Sequence, residues 1–173
     1  YSLKPSERGL LAEANLVFWI GPTMESFMPR TLNSLEDKSK AVSLIQTQGL
    51  KLLPTRQASH ADEHDEHYHE ADHEHSAMDA HIWLNTHNVD VLIDAISKEI
   101  IRIDPEHQQQ YETNTKKLHD RISQLRKTLK QSLSTVNKSF LTYHDGYQYF
   151  ENEFGLNNRG FISSSELQPG ARR

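Results

Sequence analysis

The chain of 173 residues contains no cysteine, which excludes thiolate zinc sites of the finger or ribbon type and disulfides within this stretch. No apolar run approaches the roughly 20 residues that span a bilayer. With 35% hydrophobic residues and a mean hydropathy of -0.74, the composition is that of a soluble globular chain. No basic stripe is present, which argues against nucleic acid as a partner. From Gln57 to Ser97 there is neither Lys nor Arg. No H-E-x-x-H pattern of zinc hydrolases takes in His81, and spacing places no Glu or Asp as a base beside it.

Histidine fills the space these absences leave. His60, His64, His67, His69, His73 and His75, six of the chain's eleven, fall in the string HADEHDEHYHEADHEH, and His81 follows directly. Asp62, Glu63, Asp65, Glu66, Glu70, Asp72, Glu74 and Asp79 add eight negative charges to this tract. They account for more than the whole formal charge of -5. Imidazole is the commonest protein ligand for borderline divalent ions, and the acidic field attracts cations, so the tract points to zinc or a similar metal. A His-rich string can also be a tag or a solubilising linker, but the interleaved Asp and Glu do not suit a tag.

Periodicity outlines the rest. Pro5 opens a short helix to Ala14, Asn15 to Ile20 reads as a strand, and Thr23 is expected to cap a helix to about Leu35. Further strands are expected over 41–45 and at Leu50 to Leu53. Residues 55–80 lack apolar periodicity and are expected to form a mobile loop. Asn85 or Thr86 caps a helix through Ile103, with Val89, Leu92, Ile93, Ile96 and Ile100 on one face. Pro105 starts a longer one to about Leu133. Ser139 to Tyr143 is a strand and Gly146 to Phe154 a helix, which puts His144 and Asp145 in a turn at the strand's C-terminal end, where open α/β sheets bind ligands. The strand–helix rhythm predicts an α/β fold with parallel strands.

Two histidines stand apart from the tract by context. His81 is followed by Ile82-Trp83-Leu84, and His144 ends a predicted strand, so each is held by a regular element and preorganised in a way that a ligand on an acidic loop is not. A partly buried structural histidine is the bland reading for either. Asp145 could orient an imidazole or cap the helix that follows. His87, His107 and His119 sit among polar residues and are expected on the solvated surface. Tyr143, Tyr147, Tyr149 and Phe150 are expected to pack the fold and wall the site.

The ordered string of Tyr1-Ser2-Leu3-Lys4-Pro5-Ser6, Val17-Phe18-Trp19-Ile20-Gly21-Pro22-Thr23-Met24-Glu25, the His/Asp/Glu-rich loop, His81-Ile82-Trp83-Leu84, Asp104-Pro105, Thr142-Tyr143-His144-Asp145-Gly146-Tyr147-Gln148-Tyr149-Phe150 and Glu166-Leu167-Gln168-Pro169-Gly170 resembles the zinc-binding proteins of ABC importers, the ZnuA-like solute-binding proteins. The resemblance covers the whole chain. It implies two α/β lobes with small parallel sheets flanked by helices and a long rigid connecting helix: 1–104 the first lobe, 105–133 the connector, 134–173 the start of the second. It implies one zinc ion in the cleft held by three histidines. Two of these match His81 and His144, and the third lies just ahead of the Tyr-Ser-Leu motif, so the chain is expected to be truncated at both ends. It further implies a monomeric, non-enzymatic periplasmic receptor that hands zinc to an inner-membrane ABC permease. Manganese relatives carry Glu where this chain has His144, and an all-imidazole set favours zinc over manganese.

Two other functional classes remain open at this point. A zinc hydrolase would use an open coordination position to activate water. A metal buffer would bind through the His tract alone. The receptor reading gives the tract a weaker auxiliary role, so deleting 60–75 is expected to leave the tightest zinc site unchanged in calorimetry while removing weaker ones. Protons compete for imidazoles near their ordinary pKa, so those weaker sites are expected to fade below about pH 6.

Overall fold

A computed structural model describes residues 3–35, 37, 40–56 and 78–163. The histidines from His60 to His75, and with them nearly all of the predicted loop, lie outside the described residues, as does the string from Glu166 to Gly170.

Helix α1, Pro5–Glu13, begins where proline's missing N–H costs nothing, and Glu7 reaches back to accept from the Lys4 N–H at 2.7 Å. Strand β1, Val17–Trp19, pairs in parallel with β2, Ala41–Ser43, so that Val17 meets Ala41 and Trp19 meets Ser43. Alternation along these strands serves two separate clusters. Val17, Trp19 and Ala41 pack with Met28 and Leu32, whereas Phe18 and Val42 face Leu44, Ile82, Leu92 and Tyr149. The small sheet therefore lies between two apolar layers, as the α/β expectation requires.

The helix expected from Thr23 is shorter in the structure. Residues after Gly21 form turns, and α2 runs only over Met28–Asn33. Pro29, at the helix's first turn, sets the start. The Glu25 carboxylate accepts instead from Ile20 and Gly21 N–H at 3.3 and 3.1 Å, closing the turn after β1. Gly21 is required there, because a Cβ would lie 2.7 Å from Ile45 Cγ2.

The strand expected at Leu50 to Leu53 is a second correction. The segment is extended but joins no sheet, because side chains satisfy its backbone. The fully buried Asn88 amide accepts from Lys51 N–H at 2.8 Å and donates to Lys51 C=O at 3.0 Å, and the Tyr149 hydroxyl accepts from Leu53 N–H at 3.0 Å. A single antiparallel bridge, Pro54 to Met78, joins the chain on either side of the His tract.

Helix α3, Thr86–Ile103, starts as expected, with Asn85 accepting from His87 and Asn88 N–H. After a 3₁₀ turn at Pro105–His107, α4 runs Gln108–Leu133, 26 residues or about 39 Å. No α4 side chain is buried, and α3 packs along it. Polar contacts fix that pairing. Arg126 on α4 donates to the Thr86 hydroxyl at 2.6 Å and the Thr86 carbonyl at 3.0 Å, and pairs with Asp90. No described helix is long and apolar enough to cross a membrane.

Strand β3, Phe140–His144, leads through a turn to α5, Gln148–Phe154, which ends on Gly155 in the left-handed conformation that glycine adopts at least cost. Strand β4, Asn158–Ser163, was not expected. It pairs in parallel with β3 through an irregular register between Phe140 and Thr142. Its start carries Asn158 and Gly160, residue types depleted from strands.

His119 also departs from the solvated-surface expectation, whereas His87 and His107 are exposed. The His119 ring lies between two α3 carboxylates, Nδ1 at 2.9 Å from Asp90 and Nε2 at 2.8 Å from Asp94. Hydrogen bonds to Asp90, then to Asp94, raise the imidazole's pKa above its ordinary 6.5. Burial pushes the Asp90 carboxyl up, but His119 and Arg126 together hold it below 3.8. A raised histidine stabilises fully below the unfolded value and loses that contribution as pH rises through the folded one. The thermal midpoint gap between the parent and His119→Gln is therefore expected to be widest below the ordinary histidine value of 6.5 and to narrow as pH rises through the raised one. The pair is partly exposed, so the full effect should stay within about 1 kcal/mol; calorimetric melts across that range would check it.

Candidate metal centre

Two segments far apart in sequence meet at the end of β3. His81 precedes the 3₁₀ turn Ile82–Leu84, whose Ile82 is completely buried. His144 is the last residue of β3 rather than part of the following turn. Tyr149 brings the two together. Its ring fills the cluster of Leu44, Ile82 and Leu92, and its hydroxyl donates to the Asp79 carbonyl at 2.9 Å while accepting from Leu53 N–H. Burial raises its pKa above 10.0, so the phenol keeps the proton it donates.

The His81 and His144 ring centroids are 5.7 Å apart, tilted by 47°. Gly146 shows where the nitrogens point: a Cβ on it would lie 2.6 Å from His144 Nε2 and 3.2 Å from His81 Nε2. Both Nε2 atoms thus face one small volume over a residue with no side chain. Trp83 lies beside His81 at 5.5 Å and Tyr147 beside His144 at 6.2 Å, centroid to centroid. A cavity of about 420 Å³ against His144, lined also by Thr142, Tyr143 and Phe150, is separate from that volume because His81 does not reach it.

Asp79 defines the state of His81. Only 4% exposed, its Oδ1 accepts from the His81 backbone N–H at 2.9 Å and sits 2.7 Å from Nδ1. A carboxylate beside Nδ1 favours the proton on that nitrogen, which makes Nε2 the ring atom on the Gly146 side, the orientation that a carboxylate behind an imidazole gives a metal ligand. With its amide nitrogen turned inward, Gln148 donates to Asp79 Oδ2 and the Pro54 carbonyl, both at 3.1 Å.

Asp145 has a different partner from either that the sequence suggested. Its carboxylate takes a two-pronged contact from Arg56, Nε standing 3.0 and 3.1 Å from the two oxygens, and α5 begins after Tyr147 without a side-chain cap. Arg56 Nη1 also donates to Glu151 at 2.7 Å. The hydrogen bond to Asp145 is the foremost reason that the guanidinium pKa is raised, against the opposing effect of burial. Of the tyrosines expected to wall the site, Tyr149 is buried, whereas Tyr143 and Tyr147 are 52% and 46% exposed.

Among the described residues no group of three or more His, Cys, Asp or Glu converges to hold a metal. A pair of imidazoles on one volume is a candidate donor pair that suits a borderline ion such as zinc and leaves the other positions of a tetrahedron to further ligands.

The family model described as zinc-uptake complex component A, periplasmic (ZnuA), matches residues 1–173. The chain belongs to the ZnuA family. It is 36% identical over 200 residues to a high-affinity zinc uptake system protein ZnuA of Brucella abortus, a match covering 100% of this chain and 60% of that protein. The ZnuA of Yersinia pestis is 32% identical over 189 residues, with 100% and 58% covered. The chain thus spans about three-fifths of the length of these curated relatives.

Solved structures agree in fold. A zinc-bound ZnuA deletion mutant superposes with a TM-score of 0.76 at 24% identity, over 99% of this chain and 59% of that one. The zinc-bound ZnuA-like domain of Streptococcus pneumoniae AdcA gives 0.70 at 21%, over 93% and 53%. The fold is accordingly the α/β solute-binding architecture of ZnuA proteins, with small parallel sheets and helices on their faces.

The sequence reading missed Asp79 as the carboxylate on His81, although its place two residues before the histidine was the available signal. Arg56 and Glu151 gave no signal, because nothing local shows that they meet across such a separation. Asp79→Asn removes the charge that fixes the His81 proton but keeps the shape. Its zinc affinity is expected to fall by about 10- to 100-fold in competition titrations, with the far-ultraviolet spectrum unchanged.

Proposed function

We propose that the protein captures a zinc ion through His81 and His144 and delivers it to an inner-membrane ABC-type importer. The observation that carries this reading is the convergence of two Nε2 atoms on one volume in a chain of the ZnuA family. The names of its relatives, high-affinity zinc uptake system proteins, agree with it. Zinc is cargo, so the side chains have only to bind, orient and release it, and the reading requires neither a general base nor a nucleophile.

In this reading the protein is a periplasmic monomer. Residues 1–104 and 134–173 belong to two lobes, and the helix over 105–133 limits how far they can hinge. Docking on the permease releases the ion by moving one ligand set against the other. The tract histidines His60, His64, His67, His69, His73 and His75 bind zinc more weakly and raise its concentration beside the site.

His81→Ala and His144→Ala in the full-length protein should each weaken the tightest zinc site by more than about 100-fold, since each deletes one of roughly four ligands. Competition against a chelator of known affinity measures this. Tightest binding that survives both substitutions would return the protein to the class of His-tract metal buffers.

A further inference from the structure

Arg56 lies outside the ligand set, yet it contacts the same turn. Its guanidinium grips Asp145, the residue that joins the ligand His144 to Gly146, and its other arm reaches Glu151 within α5. One planar group thus holds the turn at Asp145 and the first turn of α5 at Glu151. Both acceptors are largely shielded, with Asp145 12% and Glu151 7% exposed, and Arg56 is the only cation within ion-pairing distance of either among the described residues. The chain next to Arg56 is tied to the same region by the Leu53 N–H bond to Tyr149.

We propose that Arg56 is a positioning residue for the metal centre: by clamping Asp145 and Glu151 it holds the β3–α5 turn so that His144 Nε2 faces His81 Nε2. This rests on the zinc-capturing reading and deepens it. A fork of rigid, always-charged donors suits the task, because bidentate geometry fixes direction as well as distance. Without it, two shielded carboxylates would stand near one another with no cation between them, Glu151 still accepting from the Asn158 amide, and the easiest relief is for the turn carrying Asp145 to move. His144 would move with it, being the adjacent residue.

The test uses the full-length protein and its Arg56→Gln, Arg56→Lys, Asp145→Asn and Arg56→Gln/Asp145→Asn variants, with zinc affinity from competition titration and ligand geometry from the visible absorption of bound cobalt. Arg56→Gln is expected to lose about tenfold or more in zinc affinity and to change the cobalt bands at saturation. The double variant is expected to be no weaker than Arg56→Gln, because both changes break one clamp. Arg56→Lys compensates the charges without the fork, so it should keep the fold while showing the altered bands. A merely stabilising Arg56 would lower the melting temperature in these variants and leave the bands of the folded protein unmoved, which overturns the proposal. Wild-type affinity in Arg56→Gln also overturns it. Loss of tight zinc binding in the parent itself would instead refute the capture reading.

Discussion

The position of His144 relative to His81 depends on the burial of Tyr149. This residue sits on α5, late in the chain, but its ring completes a cluster built from β2, the Ile82 turn and α3, and it is wholly shielded from water. Burying such a ring contributes roughly 1.5 to 3 kcal/mol, and its hydroxyl must be satisfied in the same place. The Leu53 N–H and the Asp79 carbonyl meet that demand. Because Asp79 also carries the carboxylate on His81, a single side chain links the core, the segment bearing one imidazole and the helix that follows the other.

Around this anchor the fold fastens its parts through charged groups rather than added apolar area. Glu153 on α5 accepts from the Thr86 N–H at 2.6 Å at the head of α3, Arg126 on α4 reaches Thr86 and Asp90, and Arg56 holds Asp145 and Glu151. Such contacts are directional. They add less stability than their Coulomb energy suggests, since desolvation opposes them, but they allow only one relative placement of the segments they join. Direction is what a metal centre needs, because a nitrogen displaced by a fraction of an ångström no longer shares the ion.

Features with a local physical cause were legible in the sequence. The Asn85 cap, the apolar face of α3, the break at Pro105 and the β3–α5 rhythm depend on residues within a few positions of each other, and all appear, although Pro105 opens a 3₁₀ turn and the long helix itself starts at Gln108. Parallel pairing followed from the strand–helix alternation. The failures share a cause of the opposite kind. Leu50 to Leu53 has the composition of a strand, but distant Asn88 and Tyr149 side chains take its backbone groups. β4 opens on Asn158 and Gly160, types that strands avoid, yet β3 pairs with it. His119 looks like a surface residue until α3 supplies two carboxylates. At the candidate site the two imidazoles stood out by their settings, whereas Asp145, open between orienting an imidazole and capping a helix, meets Arg56, and Asp79 is the carboxylate beside His81, because chain adjacency says nothing about where a carboxylate points.

Convergence before any ion arrives has an energetic consequence. The contacts of Asp79, Tyr149 and the Arg56 cluster form without a metal, so in the proposed role little of an ion's binding energy is spent on ordering His81 and His144. In general a ligand that an ion must itself order binds more weakly by the entropy of that ordering. In the proposed role this difference separates a tight centre from auxiliary histidines using the same imidazole chemistry. It also favours release, since a centre whose halves are each rigid loses the ion when one half shifts and need not unfold either.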